Sequence, residues 1–207
     1  MQLPFSESQF LDVFAAYNRA LWPFAAVLWV VTLVAVVRLV QGRAGATTIA
    51  ALLAVHWAWS GLMYHGIFFA RINPAARPFA TLFLIQAVLF AWIARGHRLA
   101  FDVRHAPRHY LGGVFVLASL LYPALALATG HHLPRSPTFG VPCPTTLLTA
   151  GLLLGAAPPV PRWLFVIPIA WSIIGGSAAL VLSMTPDLLL FGAGLAMLSC
   201  VVAPRRT

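Results

Sequence analysis

The sequence predicts an all-α fold: a polytopic transmembrane helix bundle of about seven spans. Three observations carry this. The chain is 61% hydrophobic and 8% charged, whereas a soluble domain has about 25% charged residues. Several apolar runs reach the roughly 18 residues that read as a membrane span. The basic residues, all arginine, fall between those runs. Basic charge placed this way fits membrane topology and anionic lipid headgroups. It does not fit nucleic acid, which calls for a basic soluble domain. No lysine occurs in the chain, which excludes Schiff-base chemistry.

Taken in order, Ser6-Glu7-Ser8-Gln9 has the form of a capping box. Phe10, Leu11, Phe14, Tyr17 and Leu21 follow at helical spacing. They predict a short amphipathic helix over 6–21 lying in the membrane interface, with a turn at Trp22-Pro23. MQLPFSESQF has no basic segment before an apolar core, so it does not read as a signal peptide. Spans are then expected at about 23–40, 46–70, 75–94, 109–129, 144–159, 161–183 and 186–203. The fifth and seventh are short for a bilayer core of about 30 Å. The whole chain, 1–207, reads as a single membrane domain.

With the N-terminus outside, the cytoplasmic side receives Arg38, Arg43, Arg95, Arg98, Arg104, Arg108, Arg162, Arg205 and Arg206. The outer side receives Arg19, Arg71, Arg77 and Arg135. This asymmetry predicts an outer N-terminus and a cytoplasmic C-terminus. His97, His105 and His109 belong to the basic third loop and read as solvated surface. Cys143 and Cys200 fall at opposite faces, which argues against a disulfide.

On this topology the unusual polar residues gather at the outer end. Met63, Tyr64 and His65 end the second span, and His131 and His132 follow the fourth. Cys143, Thr145 and Thr146 open the fifth, and Met184 and Asp187 lie before the seventh. Cys143-Pro144 reads as a helix start, because proline favours the first helical position. It places the thiol near the N-cap, with Thr145 and Thr146 in the first turn, and the loop before it dips into the membrane. Helical spacing puts His65 on one face with Ala58, Gly61, Leu62 and Phe69, and His56 on the opposite face. In MTPDLLL, Thr185 reads as a cap, Pro186 as the first helical residue and Asp187 as a dipole partner. His56 and Gln86 lie mid-span.

The patches FLDVFAAYNRALWP, WSGLMYHGIFFARINPAARPF with FLIQ, PTFGVPCPTT, and IPIAWSIIGGSAAL occur in this order. In this the chain resembles the bacterial integral membrane proteins grouped as domain-of-unknown-function family 6064. The resemblance implies a multi-pass protein of the bacterial inner membrane and brings no activity or catalytic residue.

The residues themselves support three functions. The first is a small transporter or permease with an outward-facing site for a soft or borderline metal ion or a small solute. Its candidates are His65, Cys143, His131, His132, Met184, Met63, Tyr64 and Asp187, with His56 and Gln86 as stations along a path. Thiolate, imidazole and thioether favour soft metals, and His65 and Cys143 are the candidate metal ligands. The second is a cofactor-binding protein, holding a quinone, or a haem between His65 and His132. The third is a non-catalytic helical partner subunit. With four acids in the chain, carboxylate-pair catalysis has little material.

Overall fold

The computed structural model describes residues 4–96, 99–101 and 107–202. His97, Arg98, Arg104, His105, Arg205 and Arg206 lie outside the described residues. Among the described residues eight α-helices run α1 (Glu7–Val40), α2 (Ala46–Trp59), α3 (Ala76–Gly96), α4 (Pro107–Leu120), α5 (Tyr122–Ala128), α6 (Pro142–Leu154), α7 (Val166–Val181) and α8 (Leu189–Val202). A two-residue strand, Ala100–Phe101 between α3 and α4, pairs antiparallel with Ala156–Ala157 between α6 and α7.

Five helical stretches are long and apolar enough to cross a membrane, and a sixth if α4 and α5, bent by 70°, count as one. The chain is thus a multi-pass membrane protein in its helices. The difference from seven lies in α6. It has 13 residues, about 20 Å of rise, and is too short to span. Its place in the bundle explains how it survives. All but one of its residues, Cys143, are buried, and it packs on α4, α8, α7 and α2. Short helices and irregular backbone are tolerated at membrane depth when protein covers them.

α1 corrects the expected interfacial helix over 6–21. The capping box forms as expected, with Ser6 and Gln9 bonding reciprocally, but the helix continues straight through Pro23. An internal proline costs about 3 kcal/mol. What offsets it is packing: Phe14 stacks on Tyr64 at 5.6 Å and Tyr17 meets Phe68 edge-on at 5.7 Å. These rings dock the first turns of α1 on the π-helix, so 7–40 forms one continuous helix instead of a separate short one ending at Trp22-Pro23.

The end of the second crossing also departs from expectation. α2 passes into a π-helix over Ser60–Phe68 and a 3-10 turn over Phe69–Arg71. The i→i+5 bonds of a π-helix shift side chains out of α-helical register. Leu62 therefore faces out, 48% exposed, while His65 is fully buried. Of the face deduced from regular helical spacing, Leu62 departs, while Gly61, His65 and Phe69 stay buried together. The π-helix begins where α2 and α3 touch closely: a Cβ at Gly61 would lie 3.0 Å from Phe83 Cβ.

The segment 129–141 straps the same end of the molecule, and it does dip inward. Phe139 is buried between α1 and α4 beside Leu28 and Leu120 and meets His56 edge-on at 5.1 Å. Asn18 donates to the carbonyls of Pro134 and Ser136 and accepts from Thr138. Tyr17 takes the Trp59 indole N–H at 2.7 Å and donates to the Phe139 carbonyl at 3.1 Å. The strap turns at Gly140, φ 84°, where a Cβ would sit 2.8 Å from Trp59 Nε1; only glycine meets both demands. On the surface, Arg135 pairs with Asp12 at 2.7 Å. That pair is exposed and worth at most about 1 kcal/mol. Arg135→Ala is expected to leave the melting temperature in detergent within a degree or two of wild type; a large drop would mean that the ion pair, not the buried Asn18 network, holds the strap.

Candidate functional site

The π-helix, the strap, the start of α6 and the 3-10 turn Thr185–Leu188 before α8 meet at one end of the bundle. There they enclose a cavity of about 710 Å³. Its wall is mostly ring and aliphatic: Phe10 and Phe14 from α1, Phe69, Phe79 from α3, and Ile174 and Val181 from α7. Seven polar side chains share it: Tyr64, His65, Asn73, Tyr122, Cys143, Ser177 and Asp187. Trp171 completes the lining from α7.

Each polar group is placed by its local chain. α6 starts two residues earlier than expected: Val141 is the N-cap and Pro142 and Pro144 both lie in the first turn. Cys143 thus sits inside the helix, half-buried, with its thiol toward Asp187. Thr145 and Thr146 are buried; Thr146 bonds back to the Pro142 carbonyl at 2.9 Å. Asp187 lies in the 3-10 turn, but the capping role expected of this turn is not filled. Met184 is the N-cap, and no side chain caps the turn. Instead Asp187 accepts a hydrogen bond from the Tyr122 hydroxyl. Tyr122 is set in place by the bend between α4 and α5, which it opens.

His65 is the most exceptional group. It is fully buried, and neither ring nitrogen has a hydrogen-bond partner. Rings surround it: Phe83 at 4.7 Å, Trp171 at 5.0 Å, Tyr64 at 5.3 Å and Phe79 at 5.7 Å. The buried Trp171 indole N–H finds no nitrogen or oxygen acceptor and has only the Cys143 sulfur beside it. An unpaired buried polar group costs about 1–3 kcal/mol, and the His65 ring beside the cavity calls for an explanation.

The structure therefore brings His65, Tyr64, Cys143 and Asp187 to one cavity, and leaves the other candidates elsewhere. His132 is exposed and His131 half-buried beside Thr129; neither lines the cavity. Met184 is buried among the rings of α1 and the π-helix, with Met63 packed against them, and neither reaches the wall. His56 bonds Thr32 Oγ1 through Nε2 at 2.8 Å, and Gln86 donates to the Leu164 carbonyl at 3.1 Å. Both are tied to neighbouring elements and lie off the cavity. Among the described residues no three His, Cys, Asp or Glu side chains form a group that can hold a metal ion. With His132 at the surface, a haem held between it and His65 has no geometry here.

Two wall residues escaped the sequence. Tyr122-Pro123 carried a signal, a hydroxyl beside a proline in the middle of an expected span. Trp171 carried a weaker one, lying four residues before Gly175, whose missing side chain leaves room for the indole: a Cβ there would be 3.2 Å from Trp171 Nε1.

A family model described as a family of unknown function, DUF6064, matches residues 7–207. The chain belongs to the DUF6064 family. The match takes in every wall element of this DUF6064 protein from Phe10 to Asp187. No curated protein and no solved structure matches it.

Proposed function

We propose that this DUF6064 protein is a small membrane carrier that binds a mainly apolar organic molecule. The observation that carries the reading is the cavity itself: about 710 Å³, apolar in most of its wall, with its polar groups gathered around Asp187 and His65. Ligand sites are typically about 300–1,000 Å³ and are built in this way. The backbone around it favours a carrier over an inert bundle. The π-helix, the bend before α5 and the short α6 all interrupt helices at the cavity end, as in carriers whose broken helices frame the site. Ile173 and Val181 line the cavity and are 58% and 61% exposed on the outside of α7. A solute dissolved in the bilayer thus meets the wall from the side.

A soft metal ion is the weaker occupant, since His65 and Cys143 supply two ligands where a closed site takes four. A retained quinone is a second reading. The unpaired His65 ring favours it, because an imidazole N–H matches a carbonyl oxygen on an otherwise apolar ligand.

The test is organic extraction of protein purified in mild detergent, with mass spectrometry and elemental analysis. Wild type is expected to release apolar molecules that exchange on incubation with lipid. Ala178→Trp, which fills the wall, is expected to lose them. A single compound retained at one copy per chain and resistant to exchange selects the quinone-like reading. Equal recovery from wild type and Ala178→Trp, or one metal per chain that is lost in Cys143→Ser, overturns the carrier reading.

A further inference from the structure

Asp187 is 5% exposed and lines the cavity. Its neighbours there, the Tyr122 hydroxyl and the Cys143 thiol, offer hydrogens but no positive charge. Among the described residues no arginine lines the cavity, although the chain carries 13. No ion pair to Asp187 is present among the described residues, and His65 is not within ion-pair distance of it. A chain rich in cations thus leaves a buried acid without one, facing open volume. Burying a carboxylate without a cation is costly; Asp187 does lie in the first turn before α8, but a helix-end dipole contributes only about 0.3–2 kcal/mol to holding a charge.

The rest of the wall fits the same ligand. Tyr64, Phe69, Phe79 and Trp171 present rings to the cavity, and a cation over such rings gains about 0.5–2 kcal/mol, most when desolvated. The apolar sides contributed by Phe10, Phe14 and Val181 suit the organic body that carries the charge. An inorganic cation is poorly served, because the site has few oxygen donors and no metal-holding group.

Resting on the reading of the cavity as a ligand site, we propose that its ligand class is the amphipathic organic cation, with Asp187 as counter-ion and the surrounding rings as its seat. Charge, more than shape, selects the ligand. The unpaired His65 ring stands beside the same rings and is available to a polar substituent on the ligand.

Probes of nearly one shape and different charge test this without any variant. Methyltriphenylphosphonium, triphenylphosphine oxide, which carries an oxygen in place of the methyl group and no charge, and tetraphenylborate, one ring larger, are titrated by equilibrium dialysis against the detergent-purified full chain, with empty micelles subtracted. The phosphonium is expected to bind at least about tenfold tighter than the neutral oxide, an advantage of about 1.4 kcal/mol, and the borate weakest. Asp187→Asn keeps the shape and the Tyr122 contact and is expected to bring the phosphonium and oxide affinities to within about twofold. Oxide binding as tight as phosphonium, tighter borate, or an undiminished preference in Asp187→Asn overturns the cation proposal while the cavity reading stands. If none of the three binds in wild type, the proposal and the cavity reading fall together. Should Asp187→Asn not fold, the wild-type charge series decides.

Discussion

Gly151→Leu is expected to destroy the folded bundle. α4 and α6 cross backbone to backbone at Gly112 and Gly151. A Cβ on Gly151 would lie 2.5 Å from the Gly112 oxygen and 2.8 Å from the Val116 nitrogen. Those atoms are main chain and cannot rotate away, so the helices must part, and α6 is the buried centre of the bundle. Overpacking a tight core costs about 1–3 kcal/mol, and displacing two backbones places this site at or above the top of that range. The expected result is loss of the monodisperse peak on size exclusion in detergent, or a melting temperature more than about ten degrees lower, taking about 4–8 °C per kcal/mol for a small domain and less for a larger one. Gly113→Ala is the control: the added Cβ meets nothing within 4 Å, and removing a helical glycine gains up to about 1 kcal/mol. A Gly151→Leu protein that melts with wild type would show that the close crossing is not formed.

Asn18→Leu is expected to release the strap while leaving the bundle folded. The substitution removes bonds of 2.7 and 2.8 Å to the Pro134 and Ser136 carbonyls and the 2.6 Å bond from Thr138. Groups left unpaired cost about 1–3 kcal/mol each, so residues 129–141 lose about 3 kcal/mol or more of local stability. Hydrogen exchange in that segment should accelerate by two orders of magnitude or more, since about 1.4 kcal/mol is tenfold. α3 and α8 should keep their protection. Asn18→Asp should fail in the same way, because a carboxylate cannot donate to the two carbonyls. Unchanged exchange in 129–141 would mean that the Tyr17 and Phe139 contacts suffice alone.

Much of this end was legible because its residues are rare in so apolar a chain. Tyr64, His65, Cys143 and Asp187 stand out from leucine and alanine wherever they occur, and span order alone carries them to one end. Periodicity failed where the backbone leaves regular geometry. The face assigned to His65 assumed α-helical bonding, and the π-helix over Ser60–Phe68 moved Leu62 and His65 apart. Proline was overrated at position 23, where ring packing by Phe14 and Tyr17 outweighs one lost bond, and underrated at 123, beside the Tyr122 that holds Asp187. Thr185 and Asp187 matched a capping pattern, yet Asp187 bonds a side chain 65 residues away. His131 and His132 were grouped with the site because they share its end; being at one end and lining one cavity are different conditions, and only coordinates separate them.

The unbroken course of α1 has a consequence for the order in which the protein is made. Its first turns leave the ribosome before α2 to α8, carrying Phe10, Phe14, Tyr17 and Asn18. The ring partners of its aromatic face, Tyr64, Phe68 and Phe69, follow with the second crossing, but the hydrogen-bond partners of Tyr17 and Asn18 in the strap lie 116 to 122 residues further along the chain. At a synthesis rate of about 5–20 residues per second, those polar groups wait for on the order of ten seconds. The lower part of the same helix, with Val27, Val30 and Val34 outward, needs only lipid and is complete at once. Anchoring is therefore finished early in translation, and the cavity closes only after the strap has emerged.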